Sequence, residues 1–115
     1  MTELNKLTSL FRELALLEKD LANSQGLPIQ VARLFIAICE IGETDVETSE
    51  ANSTLGYNSA TLSRNITTLS SRPKRTGKGL GLITTYDDPK DRRQKLISLT
   101  AKGKIVRNTL IKTIK

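Results

Sequence analysis

The stretch DDPKDRRQKLISLT, Asp87–Thr100, decides the fold of this 115-residue chain. It opens with a dense cluster of opposite charges and continues into alternating apolar residues, so that Ile97 and Leu99 share one face of a predicted strand. The segment LITTY just before it alternates in the same way and predicts a partner strand. Together the two segments predict a β-hairpin over residues 82–99, with Asp87–Gln94 at its tip.

A helix-turn-helix is predicted before the hairpin, over residues 44–71. The tetrapeptide TDVE, Thr44–Glu47, has the pattern of a capping box and predicts the start of a short helix. Gly56 predicts the break after that helix, and Asn58 is a natural N-cap for a second one. A helix-turn-helix followed by a β-hairpin is a winged helix, so we expect a mainly α fold with a small β-hairpin (α+β).

The second helix of this motif has two different faces. Leu62, Ile66 and Leu69 fall on one side at helical spacing and predict burial. The other side is small and hydroxylated with a single arginine, which suits entry into a major groove and hydrogen bonds to base edges. A merely soluble face is the alternative. The candidate major-groove residues are Ser59, Ala60, Thr61, Ser63 and Arg64.

Three further helices complete the predicted domain. Residues 28–41 are apolar almost all round, which is typical of a helix at the centre of a core. Residues 101–115 predict a last helix, capped by Thr100. Residues 3–22 predict a first helix with a leucine stripe that can pack on the domain's own core or on a second copy of the chain. The stripe consists of Leu7, Leu10, Leu14 and Leu17.

Charge is distributed unevenly along the chain, whose net charge is +6. Residues 1–55 carry four Lys/Arg and nine Asp/Glu, a net charge of −5, whereas residues 56–115 carry fourteen and three, a net charge of +11. This polarity indicates a surface that faces a polyanion. Nucleic acid is favoured over an anionic membrane, because Gly, Pro and Ser interrupt the basic half too often for an amphipathic helix. With 37% apolar and 26% charged residues, the chain is predicted to be one globular domain, residues 1–115.

The types of residue present argue against catalysis. The chain has no His and a single cysteine, Cys39, in an apolar run, which excludes zinc sites and His-dependent nucleophilic catalysis. Cations surround Asp87, Asp88 and Asp91, which disfavours a Mg²⁺ site. We therefore expect no enzyme activity, no metal and no cofactor. We also expect a cytoplasmic protein, because the sequence has no membrane span, no signal-peptide pattern and only a lone cysteine.

The segment DPKDRRQKLISLTAKGK, Asp88–Lys104, resembles a known wing signature. The signature is D-x-R-x-x-x-[IV]-x-L-T-x-x-G, from the multiple-antibiotic-resistance regulator (MarR) family of winged-helix transcription factors. NSATLSRNITTL is similar to that family's recognition helix, and PIQVARLFIAICEIG to the helix before it, so the likeness covers residues 4–104. The residues that fall on the signature are Asp91, Arg93, Ile97, Leu99, Thr100 and Gly103.

The resemblance implies roles for the charges at the hairpin tip. It implies that Arg93 enters a minor groove while Asp91 fixes its side chain. The physics agrees, because a narrow minor groove concentrates negative potential and attracts arginine, and an adjacent carboxylate can hold a guanidinium extended. Lys90, Arg92 and Lys95 would then meet phosphates. A solvated turn is the alternative interpretation of this charge cluster.

One departure from the family pattern adds basic residues. A loop at residues 72–81 is inserted between the helix-turn-helix and the hairpin. We expect its Lys74, Arg75 and Lys78 to add contacts to phosphates, and each phosphate neutralised steepens the salt dependence of binding.

Two further departures concern packing and the dimer. Ala51 and Asn52 of the first motif helix stand where the family usually has Leu and then Ala. The chain stops at Lys115, whereas family members usually continue through a long C-terminal dimerisation helix. No small-molecule effector can be named, and redox sensing through Cys39 is not expected. The expected homodimer therefore depends on the C-terminal helix and on Leu7, Leu10, Leu14 and Leu17.

These observations predict a sequence-specific regulator of transcription that binds double-stranded DNA and acts as a repressor. Its recognition helix would lie in the major groove and its wing in the minor groove. Two alternatives stay open at this point. The domain can be a DNA-binding accessory in replication, partition or recombination, which the extra basic loop would suit. It can also be a protein-interaction module whose acidic N-terminal half docks on the transcription machinery.

Overall fold

A computed structural model of the chain describes residues 3–17, 27–70, 73–74 and 77–115, with only the backbone described at 73–74 and 77–78. Five helices lie within these residues: α1 (Glu3–Leu16), α2 (Ile29–Ile41), α3 (Thr48–Asn52), α4 (Ser59–Leu69) and α5 (Ala101–Thr113). The described strands are β1 (Val46–Glu47), β2 (Pro73–Lys74), β3 (Gly77–Lys78), β4 (Ile83–Asp88) and β5 (Asp91–Leu99). The prediction of a mainly α fold with a small β-hairpin is confirmed, and β1, β2 and β3 are additions to it.

Helix α2 lies at the centre of the core, as its apolar composition predicts. Pro28 precedes its first turn and Gly42 follows its last one. Ile29 and Ile41, at the two ends of the helix, are exposed to solvent. Each Leu, Ile or Phe that leaves water contributes about 1.5–3 kcal/mol, so the middle of α2 is a main source of hydrophobic stabilisation. Its most deeply buried side chains are Val31, Leu34, Phe35 and Ile38.

Strands β4 and β5 form the predicted hairpin. Their antiparallel register begins with Ile83 opposite Leu99. The strands extend further than the alternating pattern predicted, because β4 ends at Asp88 and β5 begins at Asp91, which leaves two residues for the turn. The prediction that the whole of Asp87–Gln94 forms the tip is therefore wrong. Asp87, Asp88 and Asp91 belong to the ladder, whose register shifts between Asp87 and Asp88.

A short strand stands where the sequence predicted a capping box. Strand β1 pairs with β5, with Val46 opposite Ile97, and gives the sheet the order β1-β5-β4. Burial of the Val46 side chain in the core favours this strand over a helical start. Helix α3 begins only at Thr48, and no described side chain caps it. The capping-box prediction at Thr44–Glu47 is therefore wrong.

The turn of the helix-turn-helix is held by the side chain of Asn52. Its Nδ2 donates to the carbonyl oxygen of Tyr57 (2.8 Å), and its Oδ1 accepts from the backbone N–H of Tyr57 (3.0 Å). Gly56 has φ 67°, in the left-handed region that glycine adopts without strain. Asn58 caps α4 as predicted, because its Oδ1 accepts from a backbone N–H of the first turn (2.8 Å). Ala51, which departs from the family pattern, is buried in the core.

The leucine stripe of α1 divides between the core and the surface. Leu14 is 6% exposed and Leu17 is also buried, and both belong to the core of the single chain. Leu10 packs against that core, whereas Leu7 is 46% exposed. The prediction that the whole stripe faces a second copy is therefore corrected for Leu14 and Leu17, which are buried in the core of the single chain, where α1 packs against α5. The predicted end of this helix, at residue 22, lies outside the described residues.

Helix α5 is anchored to the base of the hairpin. The Thr100 hydroxyl caps the helix by accepting from the backbone N–H of Gly103 (3.0 Å) and donates to the carbonyl oxygen of Gly81 (2.6 Å). A Cβ atom at Gly103 would lie 2.1 Å from the carbonyl oxygen of Leu82, so only glycine fits there. This close approach explains why a glycine follows the threonine by three residues in the wing signature. In the described part of the chain, no helix combines the length and the apolar character that a membrane crossing needs.

Candidate nucleic-acid interface

The outer face of α4 is exposed and lacks bulky side chains. Ser59, Ala60, Ser63 and Arg64 are all exposed, whereas Thr61 is half-buried. The Arg64 guanidinium lies over its own helix, where Nη2 donates to the Thr61 hydroxyl (3.4 Å). Opposite this face, Leu69 is buried, as the helical spacing predicts. The helix therefore offers hydroxyls and one arginine to whatever lies against it.

The end of the hairpin holds one arginine in a defined position. The Asp91 carboxylate accepts from the backbone N–H of Arg93 (3.0 Å), and the same Oδ1 lies 3.5 Å from the Arg93 Nε. The Arg93 side chain is 93% exposed. One carboxylate thus contacts both the backbone and the guanidinium of Arg93, and the positive charge still faces solvent.

The other two carboxylates of this cluster have different partners. Asp88 is buried and accepts from the backbone N–H of Lys90 (2.8 Å), which closes the two-residue turn. Asp87 forms an ion pair with the Lys95 ammonium across the ladder. Lys95 therefore has a partner within the hairpin, which the sequence did not reveal. Among the described residues, no group of three His, Cys, Asp or Glu side chains is placed to hold a metal ion.

The hairpin and the helix-turn-helix are joined by side chains as well as by β1. The Ser49 hydroxyl of α3 donates to Gln94 Oε1 of β5 (2.5 Å). Asp45, which has φ 56°, donates its backbone N–H to the hydroxyls of Tyr86 and Ser98 (3.2 Å each). The Tyr86 hydroxyl also donates to the Asp45 carboxylate. These contacts fix the orientation of the hairpin relative to α3 and α4.

The backbone at the end of the inserted loop contacts the C-terminal end of α4. Leu80 donates its backbone N–H to the Thr68 carbonyl (2.7 Å), and Leu82 donates to the Leu69 carbonyl (2.8 Å). A Cβ atom at Gly79 would lie 1.9 Å from the Ser70 carbonyl oxygen, so the returning chain passes directly against the end of the helix. The base of the loop is therefore fixed to the C-terminal end of α4.

Further along this loop, β2 and β3 pair as a short antiparallel hairpin. Lys74 lies at the end of β2 and Lys78 at the end of β3, on either side of the turn. Arg75, the third basic residue predicted to contact phosphates, lies outside the described residues. The insertion thus places predicted phosphate contacts on a second hairpin rather than on an irregular loop.

One cation near α4 was missed by the sequence reasoning. The Arg33 guanidinium lies over the Tyr57 ring, with Cζ 5.8 Å from the ring centroid. The Tyr57 hydroxyl donates to the backbone carbonyl of Gln30 in the first turn of α2 (3.2 Å). An arginine within an otherwise apolar helix was the signal that could have singled out this position. Arg33 adds an exposed positive charge beside the turn of the helix-turn-helix.

The lone cysteine lies far from this charged surface. Cys39 lines a groove of about 360 Å³ between α1, α2 and α5, with Leu10, Leu110 and Arg107 around it. Burial raises the pKa of the Cys39 thiol to about 11, an effect that the Arg107 charge partly opposes. The thiol is therefore protonated at neutral pH, and a protonated thiol is a poor nucleophile.

Solved structures with the same arrangement of elements are regulators of transcription. A MarR-family transcriptional regulator from Rhodococcus sp. RHA1 matches with a TM-score of 0.63 and 20% identity, over 95% of this chain and 64% of that one. CouR from Rhodococcus jostii RHA1, bound to p-coumaroyl-CoA, matches with a TM-score of 0.61 and 22% identity, over 95% and 64%. MepR from S. aureus, in complex with DNA, matches with a TM-score of 0.64 and 17% identity, over 93% and 73%.

These likenesses establish the class of fold. No protein-family model and no curated protein matches the sequence. This chain spans less than two thirds of the length of the two Rhodococcus regulators. The fold is a winged helix. Among winged helices, it is the form found in MarR-family regulators, as the wing signature predicted.

Proposed function

We propose that this chain is a transcriptional regulator that binds specific sites on double-stranded DNA as a homodimer and acts as a repressor. The observation that carries the proposal is the end of the β4–β5 hairpin, where Asp91 contacts both the backbone and the guanidinium of Arg93. A guanidinium that is held extended and exposed suits the narrow, electronegative minor groove. The similarity to the MepR complex with DNA supports the same ligand class.

In this proposal α4 reads the major groove. Small exposed side chains allow the helix backbone to come close to base edges, and hydroxyls and a guanidinium can hydrogen-bond to them. Thr61 and Arg64 already contact each other, so they would act together on one or two neighbouring base pairs. The residues proposed for this role are Ser59, Ala60, Thr61, Ser63 and Arg64.

Phosphate contacts surround the two reading elements. On the hairpin, Arg92 is exposed and Lys95 is paired with Asp87, so Arg92 is the stronger phosphate ligand of the two. On the inserted loop, Lys74, Arg75 and Lys78 would extend the contact along the backbone beyond the end of α4. Such contacts fix the orientation of the protein on the duplex and carry no sequence information.

The homodimer is proposed to form on α1 and α5, which pack against each other. Exposed large apolar side chains that lie together on neighbouring elements are typical of a surface covered by a partner. Leu10 packs on the edge of the core and continues this surface inward. Leu14 and Leu17 serve the protomer's own core. The exposed apolar residues of the surface are Leu4, Leu7, Phe11, Ile111 and Ile114.

Selection of bound duplexes from a random DNA pool at about 150 mM salt, read by sequencing, tests the proposal directly. We expect an enriched palindrome with half-sites about 10 base pairs apart, because a two-fold dimer reads adjacent major grooves on one side of the duplex. Heat-unfolded protein is the control. Enrichment of a single half-site would contradict the dimer. Absence of enrichment would contradict sequence-specific binding and favour the protein-interaction alternative.

A further inference from the structure

We propose that the cleft between the N-terminus of α2 and the outer side of α4 is a phosphate-binding site. This proposal rests on the proposed DNA-binding function. The occupant of the cleft is a phosphate of the DNA backbone, beside the major groove that α4 is proposed to enter. Neither the wing signature nor the charge pattern of the sequence pointed to a site between α2 and α4.

The cleft has a volume of about 340 Å³ and is formed by two helices. The first turn of α2 forms one wall, and the middle of α4 forms the other. Its lining contains no carboxylate among the described residues and includes the exposed Arg64. An anion that enters the cleft therefore meets one guanidinium and no repelling charge from the lining.

The strongest indication of a ligand is the side chain of Asn65, which lines the cleft. Asn65 is 6% exposed, and its Nδ2 atom is shielded from solvent without a hydrogen-bond partner among the described residues. A buried amide without a partner is destabilising, so it calls for an explanation. Because Nδ2 is shielded from solvent, the side chain would turn toward the cleft to present this N–H to a ligand. A phosphate oxygen in the cleft would then accept the unused N–H.

The N-terminus of α2 supplies the second group of donors. The first backbone N–H groups of a helix have no partner within it, and their dipoles favour a negative charge nearby. Pro28 precedes this helix, and no described side chain caps it. The N–H groups of Ile29 and Gln30 are therefore available in this part of the molecule. The hydroxyls of Thr67 and Thr68 donate to carbonyls of their own helix, so the backbone and Asn65 supply the neutral donors.

The position of the cleft suits the backbone of a bound duplex. Ser63 and Arg64 belong both to its lining and to the exposed face proposed to read bases. A strand of DNA that flanks the major groove at α4 would therefore pass over the cleft. A phosphate there would fix how far α4 enters the groove, without reading the sequence itself.

Two variants test the site by fluorescence titration with the duplex selected above and with a random duplex. Gln30→Glu places a carboxylate at the N-terminus of α2, where it favours the helix but repels phosphate. We expect it to bind both duplexes about tenfold more weakly, with an unchanged or higher melting temperature. Asn108→Asp is the matched control, because it makes the same change of charge on α5, which does not line the cleft among the described residues.

Asn65→Leu removes the amide at nearly constant volume. We expect binding to both duplexes to weaken about tenfold, since a hydrogen bond to a charged group is lost. The melting temperature should not fall, because Nδ2 has no hydrogen-bond partner among the described residues. A lower melting temperature with unchanged affinity per folded molecule would assign Asn65 to the fold and overturn the proposal.

A titration of the wild-type protein with inorganic phosphate, followed by NMR of the Asn65 side chain and the Gln30 amide, separates the possible failures. If the wild type binds DNA and both variants bind equally well, the cleft proposal fails and the proposed function stands. If the wild type binds no DNA but free phosphate shifts these signals, the cleft is an anion site and the proposed function fails. If neither ligand binds, both proposals fail.

Discussion

The end of the hairpin and the outer face of α4 hold their arginines in different ways. Arg93 is contacted through both its backbone N–H (3.0 Å) and its Nε (3.5 Å) by one carboxylate two residues away. Among the described residues, the Arg64 guanidinium donates a hydrogen bond only to a neutral hydroxyl, that of Thr61, at 3.4 Å. The first arrangement restricts the rotamers of the arginine before DNA arrives. The second arrangement restricts the Arg64 side chain less, because its partner is a neutral hydroxyl rather than a carboxylate.

This difference predicts that the two regions contribute differently to DNA binding. A restricted arginine loses little side-chain entropy on binding, which suits a minor groove that is read by its width rather than by its nearly degenerate base edges. A free arginine among small hydroxylated residues can adapt to the edges of several base pairs. We therefore expect the hairpin to contribute mainly affinity and shape selectivity, and α4 to contribute most of the base specificity.

The largest expected effect is that of removing the held arginine. Arg93→Ala should weaken binding to the selected duplex by about 1–3 kcal/mol, since it deletes the minor-groove contact. Binding to a random duplex should weaken less, because the random duplex lacks the narrow groove that rewards the arginine. Fluorescence anisotropy with both duplexes measures the two losses.

Arg92→Ala is the matched control for this comparison. Arg92 and Arg93 are adjacent on β5 and carry the same charge, but the Asp91 carboxylate contacts Arg93. The control should lower both affinities equally and by less. If Arg92→Ala costs as much as Arg93→Ala on both duplexes, the hairpin contributes charge alone and the contrast with α4 disappears.

The next prediction concerns the stability of α4 rather than its proposed contacts with DNA. Asn58→Ala removes the cap that accepts from the Thr61 N–H (2.8 Å), and should lower the free energy of unfolding by about 1 kcal/mol. Asn58→Ser keeps an acceptor and should stay close to the wild type. Urea unfolding followed by circular dichroism measures both. Equal stability of the two variants would show that α4 is ordered by its buried face alone.

Much of this contrast could be predicted from the sequence because it rests on local patterns. The spacing of Leu62, Ile66 and Leu69 determines which face of α4 is buried, and Asn58 precedes the helix it caps. Asp91 and Arg93 are only two residues apart, so the contact between carboxylate and guanidinium involves no distant part of the chain. These are contacts between residues near in sequence, where geometry follows from the period of the element.

The rest depends on contacts between distant residues. No local pattern pairs Val46 with Ile97, 51 positions later, so the sequence alone predicts a capping box where β1 lies. The inward placement of Leu14 and Leu17 depends on where α5 packs, and helical spacing alone cannot choose between a core and a partner. Asn65 was also overlooked, because a polar residue among apolar neighbours looks ordinary until its burial is known.

The smallest expected effect removes the carboxylate charge and keeps the shape of the side chain that holds Arg93. Asp91→Asn retains an acceptor for the backbone N–H of Arg93 but loses the attraction to its guanidinium. Exposed ion pairs contribute about 0.2–1 kcal/mol, so affinity for the selected duplex should fall by about 0.5 kcal/mol. Loss of a negative charge beside the phosphates should strengthen binding to a random duplex by a similar free energy, about 0.2–1 kcal/mol. The affinity for the selected duplex divided by the affinity for the random duplex, both measured at one salt concentration, should therefore fall by a larger factor than either affinity changes. An unchanged or higher ratio would mean that Asp91 only shapes the turn of the hairpin. The Arg93 side chain would then be no more restricted than that of Arg64.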